Sequence, residues 1–189
     1  MRDTFPTVSI GMPVFNGAKY LEQALDSLLA QEFRDFELIL SDNASTDATP
    51  EIGNGYAASD MRIRYLRNPS NLGAIANFNL VFQEAKGTYF CWASCDDLWH
   101  PRFLRTMVDI LEVQKDVVLA FCGVQRIDEN GHPIGTRPLY AAPAVNTGVL
   151  LERALANVKS RGCSHFYGLM RRGVLQKTGG CVVRGIPPD

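Results

Sequence analysis

The sequence predicts an α/β domain built on a mostly parallel sheet with helices on both faces. Three observations carry that expectation. Short β-like runs alternate with amphipathic helical runs from the N-terminus onward. The connections have the length of repeated β-α-β units, which favour parallel strands. Polar clusters rich in Asp and Asn follow the strands, where open sheets of this kind bind ligands. With 189 residues, 46% of them hydrophobic, the chain suits one domain with a substantial core.

The elements follow in order. Thr7 to Met12 is a short β run closed by Pro13, and Gly17 to Ala30 is helical, with Leu21, Ala24, Leu25, Leu28 and Leu29 on one face. Phe36 to Leu40 is the second strand. Asp42 to Thr49 is a turn of N-capping residue types, and Pro50 suits the first turn of a helix reaching Ala58. Ile63 to Leu66 is the third strand, and Arg67 to Gly73 is a loop. The next helix places Ile75, Phe78, Phe82 and Ala85 on one stripe, Gly87 ends it, and Thr88 to Trp92 is the fourth strand. A helix opening at Pro101 turns Leu104, Met107, Val108 and Leu111 inward. Val117 to Phe121 and Val124 to Ile127 read as β, with a turn at 128–131. Beyond a loop at 137–146, a helix is expected over Gly148 to Val158, a strand over Phe166 to Met170, and a short helix over Arg172 to Lys177. The sequence stops at Pro187-Pro188-Asp189, without the helix expected after a polar loop, and so looks cut short.

Composition excludes several partners. Nineteen Lys+Arg against twenty Asp+Glu give a net charge of −1, which predicts no strong pull toward nucleic acid or anionic membranes. Met1 to Thr7 does not read as a signal peptide, and no apolar run approaches the roughly 20 residues of a bilayer span. Five cysteines without a C-x-x-C pair suggest a reducing cytoplasm and no zinc site, with Cys91 and Cys122 acting as small hydrophobes. His100, His132 and His165 show no ligand spacing. Only His165 falls near a plausible acceptor region.

Four polar clusters should converge at the carboxyl edge of the sheet. In Ser94-Cys95-Asp96-Asp97, adjacent carboxylates repel unless a cation or donors are present, and Mg²⁺ or Mn²⁺ with a diphosphate supplies one. Asp97 ahead of Pro101 equally suits plain helix capping. Asp42-Asn43 offers a carboxylate for a nucleobase N–H with an amide beside it, or a simple Asx-turn. Pro13-Val14-Phe15-Asn16 offers an aromatic for packing on a base or ribose, or a loop ring tucked into the core. Asn71-Leu72-Gly73 before a helix could present backbone N–H groups to phosphate. Asn77 faces either the cleft or solvent.

Together these clusters resemble the family 2 glycosyltransferases. The resemblance rests on Val8 to Asn16 with Tyr20-Leu21, Phe36 to Ile39, Ser41 to Asp47, Asn71-Leu72-Gly73, Ala76-Asn77 and Asp96 to Pro101, thus about Thr7 to Leu104. Tyr167 to Arg172 and Gly179-Gly180 look more loosely like the family's acceptor-side half. The resemblance implies a GT-A, Rossmann-like fold over residues 1–189, with a nucleotide-sugar half at 1–104 and an acceptor-side half at 105–189, incomplete at its C-terminus. It implies a nucleoside-diphosphate sugar donor, UDP-sugar first, and inversion at the anomeric carbon. The acceptor would be a glycan, polysaccharide or lipid-linked hydroxyl. It implies Pro13, Phe15, Asn16 and Asp42 with Asn43 around the nucleoside, and Asn71, Gly73 and Asn77 along the donor cleft. Asp96 meets the divalent metal, with Ser94 and Asp97 beside it. Ser94 departs from the family pattern, standing where the first carboxylate of the D-x-D motif is expected.

The resemblance also places the general base in a loop after a Gly-rich stretch, where Asp189 falls, and no other carboxylate follows Glu152. On this reading the chain binds donor but turns over poorly without further residues to fix Asp189. The expected setting is the cytoplasm, with peripheral contact at the inner membrane face. Two other readings remain. A truncated or degenerate domain would bind nucleotide sugar without transfer. A nucleotidyltransferase would open with a Gly-rich, basic loop, and Pro13 to Ala18 has one Gly and no Arg. No G-x-G-x-x-G follows the first strand, which disfavours a dinucleotide enzyme.

Overall fold

The computed structural model describes residues 5–134 and 166–177. The elements are β1 (Val8–Val14), α1 (Ala18–Leu29), β2 (Phe36–Asp42), α2 (Thr49–Ser59), β3 (Ile63–Arg67), α3 (Ala74–Gln83), β4 (Tyr89–Trp92), α4 (Phe103–Val113), β5 (Leu119–Ala120), β6 (Leu169–Arg171) and α5 (Arg172–Lys177). The described strands form one six-stranded sheet ordered β3-β2-β1-β4-β6-β5. β3, β2, β1 and β4 run parallel, while β6 pairs antiparallel with both β4 and β5. The winding reverses between β1 and β4, so a crevice opens there at the carboxyl edge.

The side-chain alternation of β1 sorts the two faces. Val8, Ile10, Met12 and Val14 meet Leu21, Leu25 and Leu28 of α1 and Leu104 and Leu111 of α4 in one core. On the other face Ile39, Phe90 and Trp92 pack under Val81 and Phe82 of α3. Gly11 lets α3 approach: a Cβ there would lie 2.7 Å from Val81 Cγ2 and 2.9 Å from Phe90 Cζ. Trp92 stacks on Phe166 with centroids 4.6 Å apart, which ties the later segment to this face.

The strands run longer than the sequence suggests at their carboxyl ends. Pro13 lies inside β1, paired with Ser41, rather than closing it. The carbonyl of Gly11 accepts from Ala93 N at 2.9 Å on the β4 side, so the nitrogen of Pro13, two residues on, faces that same side. The ladder with β4 has ended by then, at Gly11↔Trp92, and the missing N–H costs nothing. Four expectations are corrected. Val124 to Ile127 is not a strand, its pairing being confined to isolated bridges at Val124 and at Ile127, the latter with Pro133. Ile75 is exposed, because α3 instead buries Asn77, Val81 and Phe82. Cys122 is exposed rather than a core residue, and β5 shrinks to two residues. The helix expected over Gly148 to Val158 lies outside the described residues, as do His165, Gly179, Gly180 and Asp189.

Candidate active site

The loops after β1 and β2 are locked together by side chain to backbone hydrogen bonds. Asn16 (φ 53°) and Ala44 (φ 62°) take left-handed conformations, which an Asn tolerates and an Ala adopts only under constraint. The constraint is visible. Asn16 N donates to Ser45 Oγ at 2.9 Å, and Thr46 N donates to Asn16 Oδ1 at 2.9 Å. Gly17 N donates to Thr49 Oγ1 at 3.0 Å, and Ala18 N to Asp47 Oδ2 at 3.0 Å. Phe15, freed by this frame, leaves 48% of its surface exposed at the edge of the crevice. The same loop meets the acidic cluster, since a Cβ on Gly17 would lie 3.0 Å from Cys95 Sγ.

The carboxylate of Asp42 is fully buried and already engaged. Oδ1 accepts from Ser45 N at 2.8 Å, and Oδ2 from Tyr65 OH at 2.8 Å and Arg67 Nη1 at 3.2 Å. Burial, then the hydrogen bond to Asp42, push the Tyr65 hydroxyl up to about 12, so it stays a donor at neutral pH. The expected direct hand from Asp42 to a nucleobase N–H therefore meets a carboxylate spent on its own scaffold. Tyr65 and Arg67, at the end of β3, are residues the sequence reading missed. Their register opposite Leu40 and Asp42 was the signal that could have found them.

A lattice of amides carries the next loop. Asn77 Oδ1 accepts from Ser41 Oγ at 2.6 Å and Asn68 Nδ2 at 3.1 Å, while its Nδ2 donates to the Ser41 carbonyl at 2.9 Å. Asn43 Oδ1 accepts from Asn68 Nδ2 at 3.0 Å and Leu72 N at 2.9 Å, and Asn43 Nδ2 donates to Asn71 Oδ1 at 2.7 Å. Asn77 and Asn43 are buried, so both serve as interior supports rather than as exposed groups for a ligand. The N–H groups of Leu72 and Gly73, expected to face phosphate, are taken by Asn43 and Asn71. Pairing each buried amide internally avoids the desolvation cost of an orphaned group.

Beyond β4, Ser94 Oγ donates to Asp96 Oδ1. Asp96 and Asp97 line a cleft of about 220 Å³ with Tyr20 and Gln23 of α1 and with Asp128 and Glu129 from the 128–131 turn. Glu129 reaches Lys19 Nζ at 3.3 Å. Partial burial, then the charge of Asp96, push the Asp97 carboxyl above its ordinary value. The segment after Asp97 is pinned by the buried Gln31 at the end of α1, another residue not foreseen, as Asp128 and Glu129 were not. Two adjacent carboxylates that line one cleft fit a small hard cation that completes its shell with phosphate oxygens and water. Among the described residues no set of three or more acidic, His or Cys side chains surrounds a single metal position. The described residues thus fit a cation that shares its shell with a diphosphate.

Residues 9–179 match the sequence model of Glycosyl transferase family 2. The chain belongs to glycosyl transferase family 2. An uncharacterized glycosyltransferase of Rickettsia typhi is 35% identical over 131 residues, 68% of this chain and 40% of the relative. The putative glycosyltransferase EpsE of Bacillus subtilis is 37% identical over 140 residues, 73% of this chain and 50% of EpsE. The chain thus spans half or less of the length of these family 2 relatives. In structure it resembles S. aureus TarS 1–349 in complex with UDP-GlcNAc, with a TM-score of 0.71 at 21% identity over 92% of this chain and 47% of that one. It also resembles the mannosyltransferase PcManGT of Pyrobaculum calidifontis in complex with GDP-Man and Mn²⁺, with a TM-score of 0.67 at 21% identity, covering 94% and 48%. These likenesses show the GT-A fold for this family 2 chain.

Proposed function

We propose that this chain is the nucleotide-sugar-binding part of an inverting, metal-assisted glycosyltransferase. It would move a hexose from a nucleoside-diphosphate sugar to a hydroxyl on a glycan or lipid-linked acceptor. One observation carries the reading: Asp96 and Asp97 line a cleft at the switch in strand order, beside a loop frame that holds Phe15 out. The relatives that carry UDP-GlcNAc or GDP-Man with Mn²⁺ on the same fold support the donor class.

The division of labour follows from the geometry. Pro13, Phe15 and Asn16 would pack the nucleoside, with Asp42 and Asn43 holding the floor beneath it. The loop at Asn71 and Gly73, fixed by Asn77, would close the donor side. Asp96, oriented by Ser94, would hold Mn²⁺ or Mg²⁺ together with the diphosphate, and Asp97 would sit beside it. The cation would supply electrostatic stabilisation of the charge growing on the leaving diphosphate. Asp189 would take the proton from the acceptor hydroxyl, on the face opposite the leaving group. The work belongs at a cytoplasmic donor pool, with peripheral membrane contact for a lipid-linked acceptor. No described helix is long and apolar enough to cross a membrane.

A thermal-shift panel of UDP-, GDP- and dTDP-sugars with and without Mn²⁺ tests the reading, because a ligand that binds the folded chain raises its melting temperature. At least one sugar nucleotide should stabilise it, and Mn²⁺ should enlarge the shift. No shift from any member would overturn the proposal. A second reading, a domain that binds the donor without transfer, is favoured by Ser94 in place of a carboxylate. Donor shifts combined with no product from the full-length protein would select it.

A further inference from the structure

We propose that Arg67 is the specificity residue for the base, selecting nucleobases with a carbonyl on their reading edge over those with an amino group. The inference rests on the donor reading above and adds a residue that neither the family match nor the motifs point to. Arg67 closes β3 directly opposite Asp42, in register at the carboxyl edge of the sheet. Its guanidinium donates to Asp42 Oδ2 at 3.2 Å and to the Ser45 carbonyl at 3.0 Å. A guanidinium carries five donors in a rigid fork, so among the described residues N–H groups remain beyond these two contacts and the one with Tyr65. The side chain is 44% exposed while that of Asp42 is fully buried.

Arg67 therefore takes the place in which Asp42 was expected to meet the base, as a donor rather than an acceptor. The buried carboxylate aims the arginine, and the arginine meets the solvent. Ser45, gripped by the same guanidinium, receives Asn16 N on its hydroxyl, which ties Arg67 to the loop presenting Phe15. A base packed on Phe15 would then present its edge toward a fixed cationic donor whose neighbouring carboxylate, Asp42, is already engaged. Uracil and guanine offer a carbonyl oxygen there, whereas cytosine and adenine offer an amino group, a donor facing a donor. Discrimination of this sort arises as much from the repelled partner as from the accepted one.

The test is calorimetric binding of UDP against CDP, and of GDP against ADP, each with Mn²⁺, to the parent, Arg67→Ala and Arg67→Lys. The parent should prefer the carbonyl base within each pair that binds. Arg67→Ala should lose roughly ten- to hundredfold for that base, the usual worth of a charged hydrogen bond, and should bind the amino base at least as well as the parent does. Arg67→Lys, which keeps an ion pair to Asp42 without the fork, should remain folded and lose the preference too. Parent binding without preference, or equal losses for both bases in the variants, overturns the assignment and leaves the donor reading standing. A parent that binds no nucleoside diphosphate overturns both.

Discussion

Gln31 Nε2 donates to the carbonyl of His100 at 2.9 Å, joining the end of α1 to the segment that follows the Asp96-Asp97 pair. The same side chain accepts Leu104 N at 2.9 Å, and the carbonyl of Pro101 accepts Glu32 N at 2.8 Å. Trp99 N reaches Ser27 Oγ at 3.1 Å. The acidic cluster is thus aimed from α1, whose own face is buried in the core, and not only from β4.

Replacing Gln31 by Leu should therefore do two things. It leaves the buried Leu104 N–H without its acceptor and takes one of two donors from the His100 carbonyl, which keeps Phe103 N, at a cost of about 1–3 kcal/mol. It also releases the tail behind Asp97. Denaturant unfolding should report the first effect. The second should appear as weaker Mn²⁺-dependent stabilisation by a nucleoside diphosphate. A variant as stable as the parent would show that Gln31 is not an anchor.

The amide lattice makes a prediction about coupling. Asn43 and Asn77 both accept from Asn68 Nδ2, at 3.0 and 3.1 Å. Asn77→Ala should cost about 1–3 kcal/mol of stability by stranding the Ser41 and Asn68 donors. Asn43→Ala should expose the amide of Leu72 to faster hydrogen exchange. Members of one network are non-additive, so the double variant should depart from the sum of the singles by at least about 0.5 kcal/mol. Strict additivity would mean that the loop at 71–73 is held independently of Asn77.

The fold was legible because periodicity reports burial. Leu21, Ala24, Leu25 and Leu28 were readable as the inner face of α1, and all four are buried. Ile75 was misread because α3 turns Asn77 and Val81 inward instead: Asn77 bonds Ser41, Val81 rests on Gly11, and Ile75 is left 47% exposed. The candidate site was legible as a set of loops but not in its wiring. Asp42, Asn43 and Asn77 have the residue types of ligand-binding groups, and a sequence cannot show that their hydrogen bonds are already made inside. Gln31, Tyr65 and Arg67 were invisible for the converse reason. Each is an ordinary residue at the end of an element until the register brings Asp42 against Arg67, or packing brings Gln31 against His100.

The proton-transfer role proposed for Asp189 separates binding from chemistry. In a protein extended to the length of its family 2 relatives, Asp189→Asn keeps size and polarity but removes the basic oxygen. Donor affinity should be unchanged, and transfer should fall by roughly 10²–10⁴-fold, the usual contribution of general-base catalysis. Product assays beside thermal shifts with the donor would measure both. Retained turnover would rule Asp189 out.

The last prediction concerns charge in the acidic cleft. Removing Asp96 should abolish the Mn²⁺-dependent part of nucleotide stabilisation, and Asp97→Ala should weaken it less. Asp97 behaves oppositely when no metal is present. Its carboxyl is raised above the unfolded value by burial and by Asp96, so its charged form is disfavoured in the folded chain. That penalty applies in full above the folded pKa and is relieved as pH falls through it. Asp97→Asn should therefore raise the melting temperature of the metal-free protein at neutral pH, and the gain should vanish in acid where Asp97 is protonated anyway. Added Mn²⁺ with a nucleoside diphosphate should reverse the order, because the cation favours the ionised pair and the asparagine offers it no charge. Proton and metal compete for the same oxygens, so the parent's Mn²⁺-dependent shift should shrink on acidification at a higher pH than for an ordinary carboxylate. Melting curves of parent and Asp97→Asn across pH, with and without Mn²⁺ and UDP, would decide it. A variant less stable than the parent in the absence of metal at neutral pH would show that Asp97 is held by partners rather than strained by its neighbour.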